Sequence, residues 1–184
     1  MKVLAISGSL RAASINSALC RVAARLAPPS LHVTVFTGLG ELPLFNPDLE
    51  PVPPPQVQAF RASVGEANAL LIASPEYAHG ISGIMKNALD WLVSFEGTVY
   101  KPIAIFNASP RAHHAEESLR EILKTMSTNI VAEASVVIPL LGSCTTEEAM
   151  LGSAGVSNTI RGALNALATH LSGSDASGPS FPLS

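Results

Sequence analysis

Residues 1–27, MKVLAISGSLRAASINSALCRVAARLA, pass from an apolar run through a polar turn into a helical pattern. Residues 3–7 (VLAIS) are continuously apolar rather than alternating, as a strand covered on both faces would be. In 15–27, Ile15, Leu19, Val22, Ala23 and Leu26 recur at i, i+3/i+4 spacing, which predicts an amphipathic helix. The turn between them holds Ser9, Arg11, Ser14, Asn16 and Ser17. A helix N-terminus leaves four backbone N–H groups unpaired and carries positive partial charge, so an anion suits it. A cap needs one hydroxyl or amide side chain. Here there are several, with a cation beside them.

The same alternation continues along the chain. Residues 33–36 (VTVF), 69–74 (ALLIAS), 102–109 (PIAIFNAS) and 134–140 (ASVVIPL) read as further strands. Residues 56–66, 83–93, 115–126 and roughly 157–171 read as helices. Strands alternating with helices predict a doubly wound, five-stranded parallel α/β sheet in the order 2-1-3-4-5. Six prolines in 40–56 (GELPLFNPDLEPVPPPQ) exclude helix and central strand there and predict a surface connection. The expected domain covers 1–172. Residues 173–184 are rich in Ser, Gly and Pro and are expected to be a disordered tail.

Bulk properties narrow the function. The 184 residues are 47% hydrophobic and 14% charged, with net charge −3, so there is no electrostatic case for nucleic acid or an anionic membrane. No apolar run reaches the ~18 residues of a membrane helix, and the N-terminus is too short in apolar residues for a signal peptide. Cys20 and Cys144 form no CxxC and read as reduced core thiols of a cytoplasmic protein.

In an open parallel sheet, ligands sit beyond the carboxyl ends of the strands at the switch point. Two more loops meet the first one there. SPEYAHGISG (74–83) offers Pro75, Glu76, Tyr77, Ala78, His79 and Gly80 to a flat ring, with backbone N–H groups for its heteroatoms. Glu76 reads as a structural acceptor or a subunit-contact residue rather than a general acid, since no partner carboxylate or histidine stands at usable spacing. NASPRAHHAEE (107–117) adds Ser109, Pro110 and Arg111. Adjacent His113 and His114 make a poor metal pair on a helix, and no metal site is expected. Neither G-x-G-x-x-G nor the P-loop pattern is present, and no nucleophile motif occurs. No catalytic side chain is expected. The chemistry would belong to a cofactor, and phosphate plus planar ring describes a mononucleotide such as FMN.

GSLRAASIN, LPLFNPDLE (42–50) and SPEYAHGISGIMKNALDWL (74–92), in this order, resemble the NADPH-dependent FMN reductase family. The resemblance runs over about residues 2–140. It implies a flavodoxin-like fold and noncovalent FMN, with phosphate ligands at Ser9, Arg11, Ser14, Asn16 and Ser17 and a ring-binding turn at Pro75, Glu76, Tyr77 and their neighbours. It implies ping-pong hydride transfer from NADPH or NADH to a quinone, free flavin or similar small acceptor, in a homodimer or homotetramer. The interface would lie near helix 83–93. The chain departs from the pattern at Ala78, usually Asn, and in the strand-four loop, usually rich in glycine. That altered loop keeps open a flavin-binding electron carrier or sensor without NAD(P)H turnover.

Overall fold

A computed structural model describes residues 1–140, 142 and 144–176. The chain runs β1 (Lys2–Ser7), α1 (Ile15–Leu26), β2 (His32–Phe36), α2 (Pro55–Glu66) and β3 (Ala69–Ala73). A two-stranded hairpin follows, β4 (Glu76–Tyr77) and β5 (Gly80–Ile81), then α3 (Gly83–Asp90) and β6 (Pro102–Asn107). The remainder is α4 (His113–Thr125), β7 (Asn129–Ile130), β8 (Val136–Val137), α5 (Glu147–Gly152) and α6 (Ala154–Ala176). The main sheet is parallel in the order β2-β1-β3-β6-β7, with β8 also on β6. This is the expected doubly wound order.

The continuous apolar runs have a simple cause. Alternate residues of each central strand enter opposite cores. Val3 and Ala5 of β1, Ala69 and Leu71 of β3, and Ala104 and Phe106 of β6 pack with α1 and α6. Leu4 and Ile6, Leu70 and Ile72, and Ile103 and Ile105 pack with α2, α3 and α4. With no face left to water, these central strands cannot alternate apolar with polar residues, whereas the edge strand β2 leaves His32 and Thr34 exposed.

The expected fifth strand is split. β7 pairs Asn129 and Ile130 with Pro102 and Ile103, while β8 pairs Val136 and Val137 with Phe106 and Asn107. A 3-10 turn at Ala132–Ala134 bulges between them. The Ser135 hydroxyl fills the gap. It accepts from Ile105 N–H at 3.1 Å and donates to Val131 O at 2.9 Å, so the interrupted ladder loses no central donor. Helix α5 was not foreseen, although Thr146 caps it and Glu147 and Glu148 occupy its first turn. Helix α6 continues through Ala176, beyond the expected 157–171. Of the expected tail, 177–184 lie outside the described residues.

The proline-rich connection is pinned to α3. Asn87 accepts from Phe45 N–H at 2.8 Å and donates to Pro43 O at 3.0 Å. Trp91 Nε1 donates to the same carbonyl at 2.8 Å. Arg61 Nη2 reaches both oxygens of Glu50, at 3.0 and 2.9 Å. Burial opposes ionisation of Glu50, but the hydrogen bonds from Arg61 and Ser94 and the charge of Arg61 outweigh it, and the carboxyl is held below its usual value. No described helix is long and apolar enough to cross a membrane.

Candidate functional site

At the carboxyl edge of β1, β3 and β6 lies a cleft of about 410 Å³, walled by Ile15 and Asn16, Ser74, Pro75 and Glu76, residues 107–109, Arg111, Ala112 and Leu140. All three expected loops contribute to it. It has the size of a small-molecule site.

The first loop divides its residues by role. Ser14 is the N-cap of α1, and its hydroxyl accepts from Ser17 N–H at 3.1 Å. Ser17 Oγ lies 2.8 Å from Ser7 Oγ and is turned toward the sheet. Asn16 is buried on the cleft wall, and its Oδ1 has no hydrogen-bond partner. The N–H groups of Ile15 and Asn16, at the start of α1, have no intrahelical partner. Ser9 and Arg11 wall a second, smaller cleft of about 260 Å³ on the other side of the loop, together with Ser17 and Arg21. Gly8 holds the loop tight to the sheet: a Cβ there would meet Ser74 Oγ at 2.6 Å and Ser82 Oγ at 2.9 Å.

The second loop is the β4–β5 hairpin. Its two central residues, Ala78 and His79, have φ of 49° and 59°. A two-residue turn with both φ positive matches the right-handed twist of its strands, and Asn or Gly is the usual occupant. Pro75 and Glu76 reach the cleft wall, while Tyr77, Ala78 and His79 are exposed at the tip. Glu76 is a structural acceptor, as its isolation from any partner acid or base implied: its Oε2 accepts from Ala115 N–H at 2.9 Å in the first turn of α4. A carboxylate there is favoured by the helix dipole.

The third loop is shaped by Asn107, which sequence reasoning passed over as part of a strand. Its Oδ1 accepts from Ser109 N–H at 2.9 Å. Its Nδ2 donates to Ala112 O at 3.2 Å and to Glu116 Oε2 at 2.8 Å. Glu116 is held in turn by Arg120, at 3.0 and 2.8 Å. This clamp supplies order that glycine flexibility cannot. The ring of His114 stacks on His79 at 4.4 Å and 20°, and His113 lies 4.0 Å from His114. The two adjacent histidines do come together, at the start of α4.

Ile15, Ser74, Asn107, Ala108, Ala112 and Leu140 also line the cleft and were not foreseen. Their signal was only position at strand ends. Neither Ser74 nor Ser109 is hydrogen-bonded to a histidine or carboxylate: Ser74 Oγ donates to Pro75 O, and Ser109 Oγ accepts from Arg111 N–H. The cleft offers no activated hydroxyl. Among the described residues, no three His, Cys, Asp or Glu side chains are grouped to hold a metal ion.

A parallel sheet in this order, with open N–H groups and a cleft at its switch point, defines a flavodoxin-like domain. Residues 1–140 match the model of the NADPH-dependent FMN reductase family, and the chain belongs to that family of oxidoreductases. It is 37% identical over 147 residues to an NAD(P)H-dependent FMN reductase of Pseudomonas aeruginosa, covering 75% of this chain and 77% of that one. It is 48% identical over 95 residues to a probable NADPH:quinone oxidoreductase of Oryza sativa, covering 50% of this chain and 47% of that one. Among solved structures, FerB, a flavoenzyme NAD(P)H:(acceptor) oxidoreductase from Paracoccus denitrificans, superposes with a TM-score of 0.80 at 23% identity. That match covers 94% of this chain and 97% of FerB. At that identity the likeness is one of fold.

Proposed function

We propose that the protein is an FMN-dependent oxidoreductase that carries two electrons from NADPH or NADH to a quinone or similar small acceptor, by a ping-pong sequence in one cleft. The observation that carries this reading is Asn16 Oδ1: a buried acceptor with no partner, on the wall of a cleft beside unpaired N–H groups. An orphaned buried acceptor is costly and calls for a donor. The hydroxyls of a ribityl chain are such donors, and a phosphate suits the first turn of α1. The donor set fits FMN.

Bound FMN would accept and return the hydride. The chain's part is to bind, orient and exclude water. Asn16 and the opening N–H groups of α1 would hold the phosphate and its chain from the main cleft, Ser9 and Arg11 would have to reach it from the smaller cleft across the loop, and Ser14 and Ser17 would fix the loop itself. Pro75, Glu76 and the hairpin through Gly80 would border one edge of the ring, and Ser109, Pro110 and Arg111 the other. Backbone N–H groups aimed at a ring that gains negative charge stabilise it without reorganisation. No side chain need move a proton for flavin reduction.

Homo-oligomerisation is part of the reading. Leu44, Val52 and Val93 are 83%, 79% and 60% exposed on the proline-rich connection and just past α3. Burial of such a face between copies would remove its apolar surface from water.

The test is spectroscopic. FMN is added to purified protein, and NADPH or NADH is then added without oxygen. Loss of the visible flavin band, and its return on adding a quinone, is expected. A band that persists with both nicotinamides refutes the enzyme and leaves the carrier. Arg11→Ala is expected to weaken FMN binding by about 1.5–3 kcal/mol, the scale of a charged hydrogen bond.

A further inference from the structure

We infer that Arg111 and the imidazole stack of His79, His114 and His113 select a planar electron acceptor that carries an anionic substituent. This deepens the function proposed above and rests on it for turnover, though not for binding.

Charge at the cleft is unbalanced. Arg111 stands on the cleft wall, and it enters none of the ion pairs among the described residues. The one acid on that wall, Glu76, is already bound to Ala115 N–H. Glu116, the next acid along α4, is held by Arg120 and Asn107. Helix α4 starts at this point, and its N-cap residue, Ala112, has no side chain to satisfy the opening N–H groups. An exposed guanidinium with no carboxylate partner attracts an anion, and it matches carboxylate or sulfonate oxygens in pairs.

Shape supplies the second half. The three histidines stand outside the cleft wall but next to it in the chain: His79 is on the hairpin whose first residue, Glu76, lines the cleft, and His113 follows the lining residue Ala112. His79 stacks on His114, 20° from parallel, and His113 continues the group. Aromatic rings prefer offset stacking on other flat rings. Strain marks the same place. His79 is held at φ 59° and Ala78 at 49°, in the left-handed region that non-glycine residues rarely enter. A flat ring with one acidic group meets both features: an anionic quinone. The balanced reaction is NAD(P)H + H⁺ + quinone → NAD(P)⁺ + hydroquinone, and the anionic substituent is unchanged.

The test uses FMN-loaded protein. Anthraquinone-2-sulfonate is titrated into the oxidised enzyme by calorimetry. Turnover is compared for 1,4-naphthoquinone-2-sulfonate and neutral 2-methyl-1,4-naphthoquinone. Arg111→Gln is expected to raise the Kd of the sulfonate roughly tenfold or more, the scale of a lost charged hydrogen bond. It should lower the sulfonated-to-neutral ratio of kcat/KM by a similar factor, and Arg111→Lys should recover part of it. His114→Ala should weaken both quinones. Added salt should weaken the sulfonate alone. An unchanged ratio in Arg111→Gln overturns the inference. So does a rise in KM for NADPH with no change for the sulfonate, which would make the anion a nucleotide phosphate. A rise in the Kd of FMN with unaltered sulfonate binding overturns it too, and returns Arg111 to the cofactor. Arg111-dependent binding without turnover of either quinone supports the inference and refutes the function proposed above.

Discussion

Asn107→Ala tests whether the third loop is clamped rather than merely connected. The substitution removes three hydrogen bonds: from Ser109 N–H at 2.9 Å, to Ala112 O at 3.2 Å and to the Glu116 carboxylate at 2.8 Å. Two neutral bonds at about 1 kcal/mol each and a charged one at about 1.5–3 kcal/mol sum to roughly 4 kcal/mol. Water can reach Ser109 and Ala112, which are half-buried, and recovers part of this. The expected loss is therefore about 3 kcal/mol. In a chain of this length that lowers Tm by roughly 6–12 °C. Denaturant unfolding followed by circular dichroism measures it, and FMN titration should show weaker binding because Ala108, Ser109, Arg111 and Ala112 line the cleft. Asn107→Asp keeps the shape but sets a second carboxylate against Glu116. One of the pair must then ionise with difficulty, its folded pKa raised above the unfolded value. Such a group's stability is present below the unfolded pKa and lost as pH rises through the folded one. The deficit against wild type should therefore be smaller near about pH 4 than near about pH 7. An Asn107→Ala loss below about 0.5 kcal/mol, or an Asn107→Asp deficit that does not vary with pH, would refute the clamp.

The remaining expectations come from other parts of the fold. Gly8→Ala would drive a methyl into the Ser74 and Ser82 hydroxyls, and should cost about 1–3 kcal/mol and weaken FMN binding, read by melting and by titration. Ala78→Gly relieves a left-handed alanine at φ 49°, and its Tm should rise, by up to about 1 kcal/mol of stability. Glu50, held below its usual pKa, contributes stability above the ordinary carboxylate range that is lost as pH falls through its folded value. Glu50→Gln should flatten the acid limb of a stability–pH curve. Burial pushes the Cys20 thiol up to about 12, so a thiol reagent near neutral pH should modify Cys20 only after denaturation, as thiol counts before and after unfolding would show.

The sheet was legible because each central strand is covered twice. That condition leaves a local mark: a short Val/Ile/Leu run with no alternation, as in VLAIS and ALLIAS. The order of strands followed from the number of strands alternating with helices, which matches a doubly wound sheet of order 2-1-3-4-5. The split fifth strand was not legible. Its break depends on the Ser135 hydroxyl standing in for a backbone group of β6, and a serine inside an apolar run carries no such signal by itself.

The site divides in the same way. Residue types in the first loop and the motif at 74–92 marked where a ligand belongs, because polar residues crowded beyond buried strands have few structural uses. Only the tertiary structure separated their roles. It turned Ser14 and Ser17 inward, left Asn16 Oδ1 without a partner, and gave Glu76 to the start of α4. It also brought Asn107 to Glu116 and His79 to His114, across 9 and 35 positions of chain. The sequence by itself determined the layers and the edge of the sheet that binds, since burial and connectivity are properties of runs of residues. Which hydroxyl is free, which charge is unpaired and which rings meet are properties of pairs, and folding alone brings the members of a distant pair within reach.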